Sequence, residues 1–271
     1  MARRENSGEK DFPWWLLAIC VIGATLALVI ASSDLYAQVF STVARGVRIT
    51  IFVTLVGFAL ATLLGLGLAL MGLSGSLILR QVARFYVEVI RGVPILVLLF
   101  YIAFVGAPAL VWLINLLTQP LQAAGIMDPV LVRDISLLWR AILALMIGYS
   151  AFIAEVFRAG ILAVDEGQVE AAEALGLNRW QRFRLIVFPQ AIRTILPPLG
   201  NDFVAMVKDS SLVSVLGVAD ITQMGKVYAA GSFRFFETYS IVAYIYLILT
   251  IGLSLLLRRL EKRMRRAQER N

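Results

Sequence analysis

The sequence predicts an all-α, polytopic helical membrane protein with about six spans, on three observations. Apolar residues make up 60% of the 271 positions, and they gather into runs near or above the ~18 residues that a helix needs to cross the hydrocarbon layer. None of the runs shows the strict alternation of barrel strands. A bilayer offers no water to an open backbone, so each run must be a helix. Most of the charged residues lie between the runs.

Composition also narrows the chemistry. With no histidine and a single cysteine, Cys20, the chain has no imidazole acid or base, no transition-metal cluster and no intramolecular disulfide. A net charge of +7 is first tested against the rule that basic loops stay in the cytoplasm.

The first run is Trp14 to Ile30, preceded by Arg3, Arg4 and Lys10. Val29-Ile30-Ala31 fits a signal-cleavage pattern. The run is longer than the usual apolar core of a signal peptide, so it reads as a retained span. The second, Thr50 to Met71, follows a partly polar approach and precedes Arg80, Arg84 and Arg91. The third starts at Pro94, whose missing N–H costs nothing in a first helical turn, and continues to about Leu113, with a polar loop from there to Asp134. The fourth, Leu137 to about Phe157, ends on Glu155 and Arg158, spaced as an i,i+3 pair. A charged segment intervenes before a less clean fifth span, Leu199 to Val218. The last is Phe235 to Leu257, followed by a basic tail.

Six spans put both termini on one side. The loops on that side, Gly72 to Gly92 and Arg158 to Arg193, are rich in arginine. Span parity and charge therefore agree in placing both termini in the cytoplasm. The organisation predicted is a segment 1–36 with an extra span, a core 37–258 holding a loop at 165–193, and a basic tail 259–271.

The stretch EAAEALGLNRWQRFRLIVFP, Glu170 to Pro189, is built as helix, turn and helix. Asp165 is a candidate cap for a helix Gln168 to Leu175, and Gly176 stands where a left-handed closing residue goes. Asn178 with Gln181 spells a second cap, and Trp180, Phe183 and Val187 fall on one side of a short helix ended by Pro189. Its alanine-rich surface suits close docking in a partner's groove. On helix physics alone, an amphipathic pair lying at the headgroups fits equally well.

The fifth span holds Asp202, Lys208 and Asp209. Each costs about 2.5 to 3.5 kcal/mol at a span centre on insertion scales, so the charges should face a cavity or the bundle interior. Asp202 and Asp209 are two turns apart and share a face with Ala205, while Lys208 points about 100 degrees away. Two carboxylates on one face suit an ammonium or a basic side chain, and Lys208 suits a carboxylate. The structural alternative is that Asp202 sits at the interface near the helix start and that Lys208 and Asp209 pair with other spans.

Glu170-Ala171-Ala172, with Gly176, Ile186 and Pro189 at fixed distances, resembles the EAA loop of ABC-importer membrane subunits; Phe188 stands where leucine is usual. Arg91-Gly92-Val93-Pro94, AEVFRAGI, LPPLGNDF and VKDSSLVSVLGVADIT are similar to the polar amino-acid uptake permeases of the histidine, glutamine and arginine type. Val93 replaces threonine, and Asp202 replaces a frequent glutamate. The likeness runs from about Val43 to the last span.

That resemblance implies a type I five-helix core plus one N-terminal helix, in the inner membrane of a bacterium. Glu170, Ala171, Ala172, Gly176, Ile186 and Pro189 would couple to a cytoplasmic ATPase dimer, and Asn201, Asp202, Lys208 and Asp209 would line the pathway. It also implies a second permease subunit and an extracytoplasmic amino-acid-binding protein. No phosphate-loop signature occurs in the chain, so ATP and Mg would belong to the ATPase, and this chain would hold no cofactor. An ion-coupled secondary transporter using the fifth-span acids is the rival class; an intramembrane enzyme lacks a nucleophile or metal set.

Overall fold

The computed structural model describes residues 14–268, with side chains through residue 263. Arg3, Arg4, Lys10 and the far end of the basic tail lie outside the described residues. The helices are α1 (Trp14–Ser32), α2 (Asp34–Ala44), α3 (Val47–Gly72), α4 (Leu77–Gly92), α5 (Ile95–Tyr101), α6 (Ala107–Ala123), α7 (Leu137–Leu162), α8 (Glu166–Ala174), α9 (Arg179–Arg182), α10 (Phe188–Asp209), α11 (Ile221–Ser232) and α12 (Phe235–Gln268). Among the described residues, five stretches are long and apolar enough to cross a membrane: Trp14–Ser32, Asp34–Gly72, Ile95–Ala123, Leu137–Leu162 and Phe235–Arg263.

The centre of the bundle is the pair α3 and α7. Apolar on all sides, α3 carries a row of small residues, Gly57, Ala61, Gly65 and Ala69, and all four are buried. A Cβ on Gly57 would meet Leu145, and one on Gly65 would lie 2.9 Å from Ile153 and 3.0 Å from the Ser150 carbonyl. Both contacts have the same register, so the helices run parallel with their backbones close, as small residues at four-residue spacing allow. Their ends at Gly72 and Leu162 therefore share one face of the bundle.

Against this pair α10 runs antiparallel. Tyr149 of α7 meets Asp209 near the end of α10, and Gly160 meets Ile195 near its beginning. Phe203 packs edge-on against Phe58 of α3 at 5.0 Å. Beyond it α12 closes the bundle, with Leu257 against Gly200. A smaller apolar cluster of Val39, Val43, Ile221, Ile241, Val242 and Ile245 joins α2, α11 and α12. No residue of α1 is buried.

Several boundaries differ from those predicted. Gly72 to Gly92, read as an arginine-rich loop, holds helix α4. Three faces explain it: Ala83 and Val87 are buried inward, Ile78, Val82, Phe85 and Val89 are exposed and apolar, and Arg80, Arg84, Glu88 and Arg91 form a polar stripe. Averaging these faces hides an amphipathic helix. The third span does not end near Leu113 but continues to Ala123, where Asn115, Thr118 and Gln122 satisfy one another and Asn115 bonds the Val130 backbone. The element predicted as a span at Leu199 to Val218 begins earlier, at Phe188, and becomes a 3-10 helix over Ser210–Leu216; with its internal charges and prolines it is not among the five apolar stretches.

Nor does Pro189 end a helix. The chain passes from α9 through a π-helical stretch, Phe183–Val187, directly into α10, with Pro189 in the first turn. The same arrangement recurs at Ile102–Gly106, with Pro108 in the first turn of α6. A proline ring collides with the carbonyl four residues back, and the wider π turn accommodates it. Inside the Ile102–Gly106 stretch, the Ala103 carbonyl accepts from the buried Arg140 guanidinium, which also bonds the carbonyls of Val132 and Ile135. Neutral oxygens thus satisfy a buried cation.

Candidate functional site: a capped helical joint and an acid-lined cavity

The segment after α7 is stiff because each helix end is closed by its own sequence. Asp165 Oδ1 accepts from the Gln168 N–H at 3.2 Å, capping α8. At the other end the Leu177 N–H bonds the Ala172 carbonyl at 3.1 Å and the Gly176 N–H bonds the Glu173 carbonyl at 2.9 Å. That pair of bonds is a Schellman closure, and it needs the left-handed φ of +79° at Gly176. Asn178 and Gln181 exchange side-chain to backbone bonds, both at 2.9 Å, as a capping box. All three caps predicted from the sequence are present.

Further contacts close the hairpin. Arg182 pairs with Glu173 across the turn, and Gln190 Nε2 donates to Gln168 Oε1 at 2.6 Å. Glu173 is therefore engaged within the chain, while Glu170 stays exposed. Of the predicted joint residues, Ala172 is buried, Glu170, Ala171 and Gly176 are exposed, and Ile186 and Pro189 are half-buried. Leu175, at 82% exposure, and Trp180, at 64%, stand out around the turn. The result is a preformed knob with an apolar rim.

The second feature lies between α7 and α10. As predicted, Asp202, Ala205 and Asp209 share a face, and they line a cavity of about 550 Å³ with Tyr149, Phe152 and the Arg91–Ile95 corner joining α4 to α5. A neighbouring cavity of about 420 Å³ shares Arg91, Phe152 and Asp202 and extends to Glu155, Thr194 and Pro198. Such volumes match small-molecule sites. Tyr149 Oη donates to Asp209 Oδ2 at 2.7 Å, while Asp202 Oδ2 is buried with no hydrogen-bond partner among the described residues. The Arg91 guanidinium sits 5.4 Å from the centre of the Phe152 ring, and Arg158 pairs with Glu155 at 2.6 Å.

Asn201 and Lys208 are not brought to this place. Both are exposed and line neither cavity, as the 100° step per residue requires of neighbours of Asp202 and Asp209. Sequence reasoning missed Tyr149, Phe152 and the position of Arg91. A cavity holding carboxylates on one wall and a guanidinium on another presents both charges that a zwitterion needs.

Comparison with known proteins agrees with this architecture. The family described as binding-protein-dependent transport system inner membrane component matches residues 61–266. The glutamine transport system permease protein GlnP of Escherichia coli (strain K12) is 39% identical over 222 residues, which cover 82% of this chain and 92% of GlnP. The octopine transport system permease protein OccM of Rhizobium radiobacter is 37% identical over 78% of this chain and 81% of OccM. Among solved structures, a chain of an amino acid ABC transporter with histidines superposes with a TM-score of 0.68 at 38% identity, covering 84% of this chain and 95% of that one. The MetNI methionine transporter, at 20% identity and a TM-score of 0.61, shares the fold. The ion-coupled secondary transporter is not favoured by these likenesses, and the chain belongs to the binding-protein-dependent transport system inner membrane components, as a permease subunit of an ABC importer.

Proposed function

We propose that this permease carries a polar amino acid through the α7–α10 cavities, driven by a cytoplasmic ATPase that grips the α8 to α9 knob. The observation that carries the reading is the knob itself. Its two helices are capped at three points and its apolar rim is exposed, which suits a part that transmits force to a partner rather than one that folds on contact. Glu170, Ala171 and Gly176 form its outer surface, Ala172 anchors it, and Ile186 and Pro189 tie it to α10. Closure of an ATPase dimer around the knob would then move α10, the helix that bears Asp202 and Asp209. ATP and its magnesium belong to that partner.

Within the cavities the substrate's ammonium group meets Asp209 and Asp202, and its carboxylate meets Arg91. Lys208 and Asn201 face away from this cavity, toward the place where a second permease subunit would complete the pathway. An extracytoplasmic binding protein delivers the amino acid to the opposite side, and both termini are cytoplasmic. The core spans 37–258, with α1 as an added peripheral helix and the tail from 259 onward at the cytoplasmic surface.

Reconstitution of the purified transporter with its ATPase and binding protein into vesicles tests the reading. Uptake of one or a few amino acids must require ATP and persist when ionophores abolish ion gradients. Uptake that follows an ion gradient without ATP would refute it.

A further inference from the structure

A third cavity, about 610 Å³, opens where α3, α4 and α7 converge. Four arginines, Arg80, Arg84, Arg91 and Arg158, face only two acids there, Glu88 and Glu155. Arg158 is spent on Glu155. Arg80 donates to the Ser74 and Gly75 carbonyls at 2.9 and 2.8 Å, which hold the α3–α4 turn but carry no countercharge. Arg84 has neither an ion pair nor a hydrogen bond among the described residues, and shares only the longer-range field of Glu155 with Arg91 and the paired Arg158. Arg80 and Arg84 are exposed at the cleft, so an anion can reach the excess positive charge there.

The rest of the lining is apolar. Leu68, Leu73, Leu77 and Leu162 share the cleft with the arginines, and Gly72, Leu77 and Leu162 mark the helix ends at its mouth. On the adjoining face of α4, Ile78 and Phe85 are more than 70% exposed, as expected of a surface in contact with acyl chains. The occupant must therefore be amphipathic, with an anionic head for the guanidiniums and an apolar body for the leucines. A free phosphate, or the carboxylate of a polar substrate, would use the arginines and leave the leucine wall unexplained.

We propose that this cleft binds the headgroup of an anionic phospholipid. Guanidiniums take phosphate oxygens in paired, charge-assisted bonds, and basic recesses between spans are a recurring form of headgroup site. The proposal rests on membrane residence; Arg91 lines this cleft and the inner cavities alike, whereas Arg84 lines this cleft and neither inner cavity, which makes it the residue to test. Its mechanical consequence follows from chain order. Arg158 and Leu162 occupy the last turns of α7, just before Asp165 caps α8, so a bound headgroup steadies the end from which the knob projects.

The test is native mass spectrometry of the intact transporter complex in detergent, titrated with phosphatidylglycerol or phosphatidylcholine, for wild type, Arg84→Gln and Arg84→Lys. Wild type should retain phosphatidylglycerol in preference to phosphatidylcholine. Arg84→Gln should weaken that association about fivefold, the factor that corresponds to one basic residue near a headgroup, and Arg84→Lys should largely keep it. Millimolar inorganic phosphate should not displace the lipid. Equal retention by wild type and Arg84→Gln, or no preference between the two lipids, would overturn the site. Displacement by phosphate would overturn its assignment to a lipid.

Discussion

Tyr149 of α7 donates its hydroxyl hydrogen to Asp209 of α10 across 2.7 Å, joining two helices whose partners lie 60 residues apart in the chain. The bond orients one carboxylate oxygen and leaves the other lone pairs of Asp209 for a cation. If Asp209 receives the substrate ammonium, Tyr149→Phe removes a bond worth about 1.5 to 3 kcal/mol to a charged acceptor. Transport efficiency should drop about tenfold or more, measured as uptake per ATPase complex, with ATPase binding unchanged. Wild-type uptake in this variant would separate Tyr149 from the pathway.

Asp202 predicts effects of opposite sign on stability and function. Its buried Oδ2 has no partner, and an unmet charge there burdens the folded state. Asp202→Asn should leave thermal stability equal or raised by about 1 kcal/mol, while uptake falls. A marked loss of stability would mean that the carboxylate serves packing.

The α7–α10 contact is close enough to be tested by a single methyl group. A Cβ on Gly160 would lie 2.3 Å from Ile195 Cγ1, so Gly160→Ala must displace the Ile195 side chain or α10 itself, at a cost of about 1 to 3 kcal/mol. Removing the obstacle with Ile195→Ala should make the two changes strongly non-additive, by about 1 kcal/mol or more in a double-mutant cycle. Thermal denaturation of the four proteins reads this directly. Additive losses would show that the helices do not meet there.

Sequence and structure agree where a feature is local. The caps at Asp165, at Asn178 with Gln181 and at Gly176 are written in adjacent residues, and the common face of Asp202 and Asp209 follows from helical geometry. What a sequence average cannot resolve is a helix with three different faces, which is why α4 reads as a loop. Likewise, the π-helical stretches before Pro108 and Pro189 depend on how the backbone relieves a ring clash, and from sequence Pro189 reads as a stop. Tyr149, Arg91 and Phe152 enter the cavity through packing between distant segments, and no spacing announces it.

The α8 to α9 knob is the proposed joint to an ATPase. Gly176→Val tests it, because a β-branched residue at φ +79° costs at least about 1 to 2 kcal/mol and undoes the Schellman closure without touching a membrane span. The direct measurement is purification of the tagged chain from its native membrane in mild detergent, with mass spectrometry of what accompanies it. Wild type should bring a stoichiometric ATPase subunit, and Gly176→Val should insert normally but lose it. A wild-type chain that purifies alone and still moves amino acids down an ion gradient would rule out the knob as an ATPase joint.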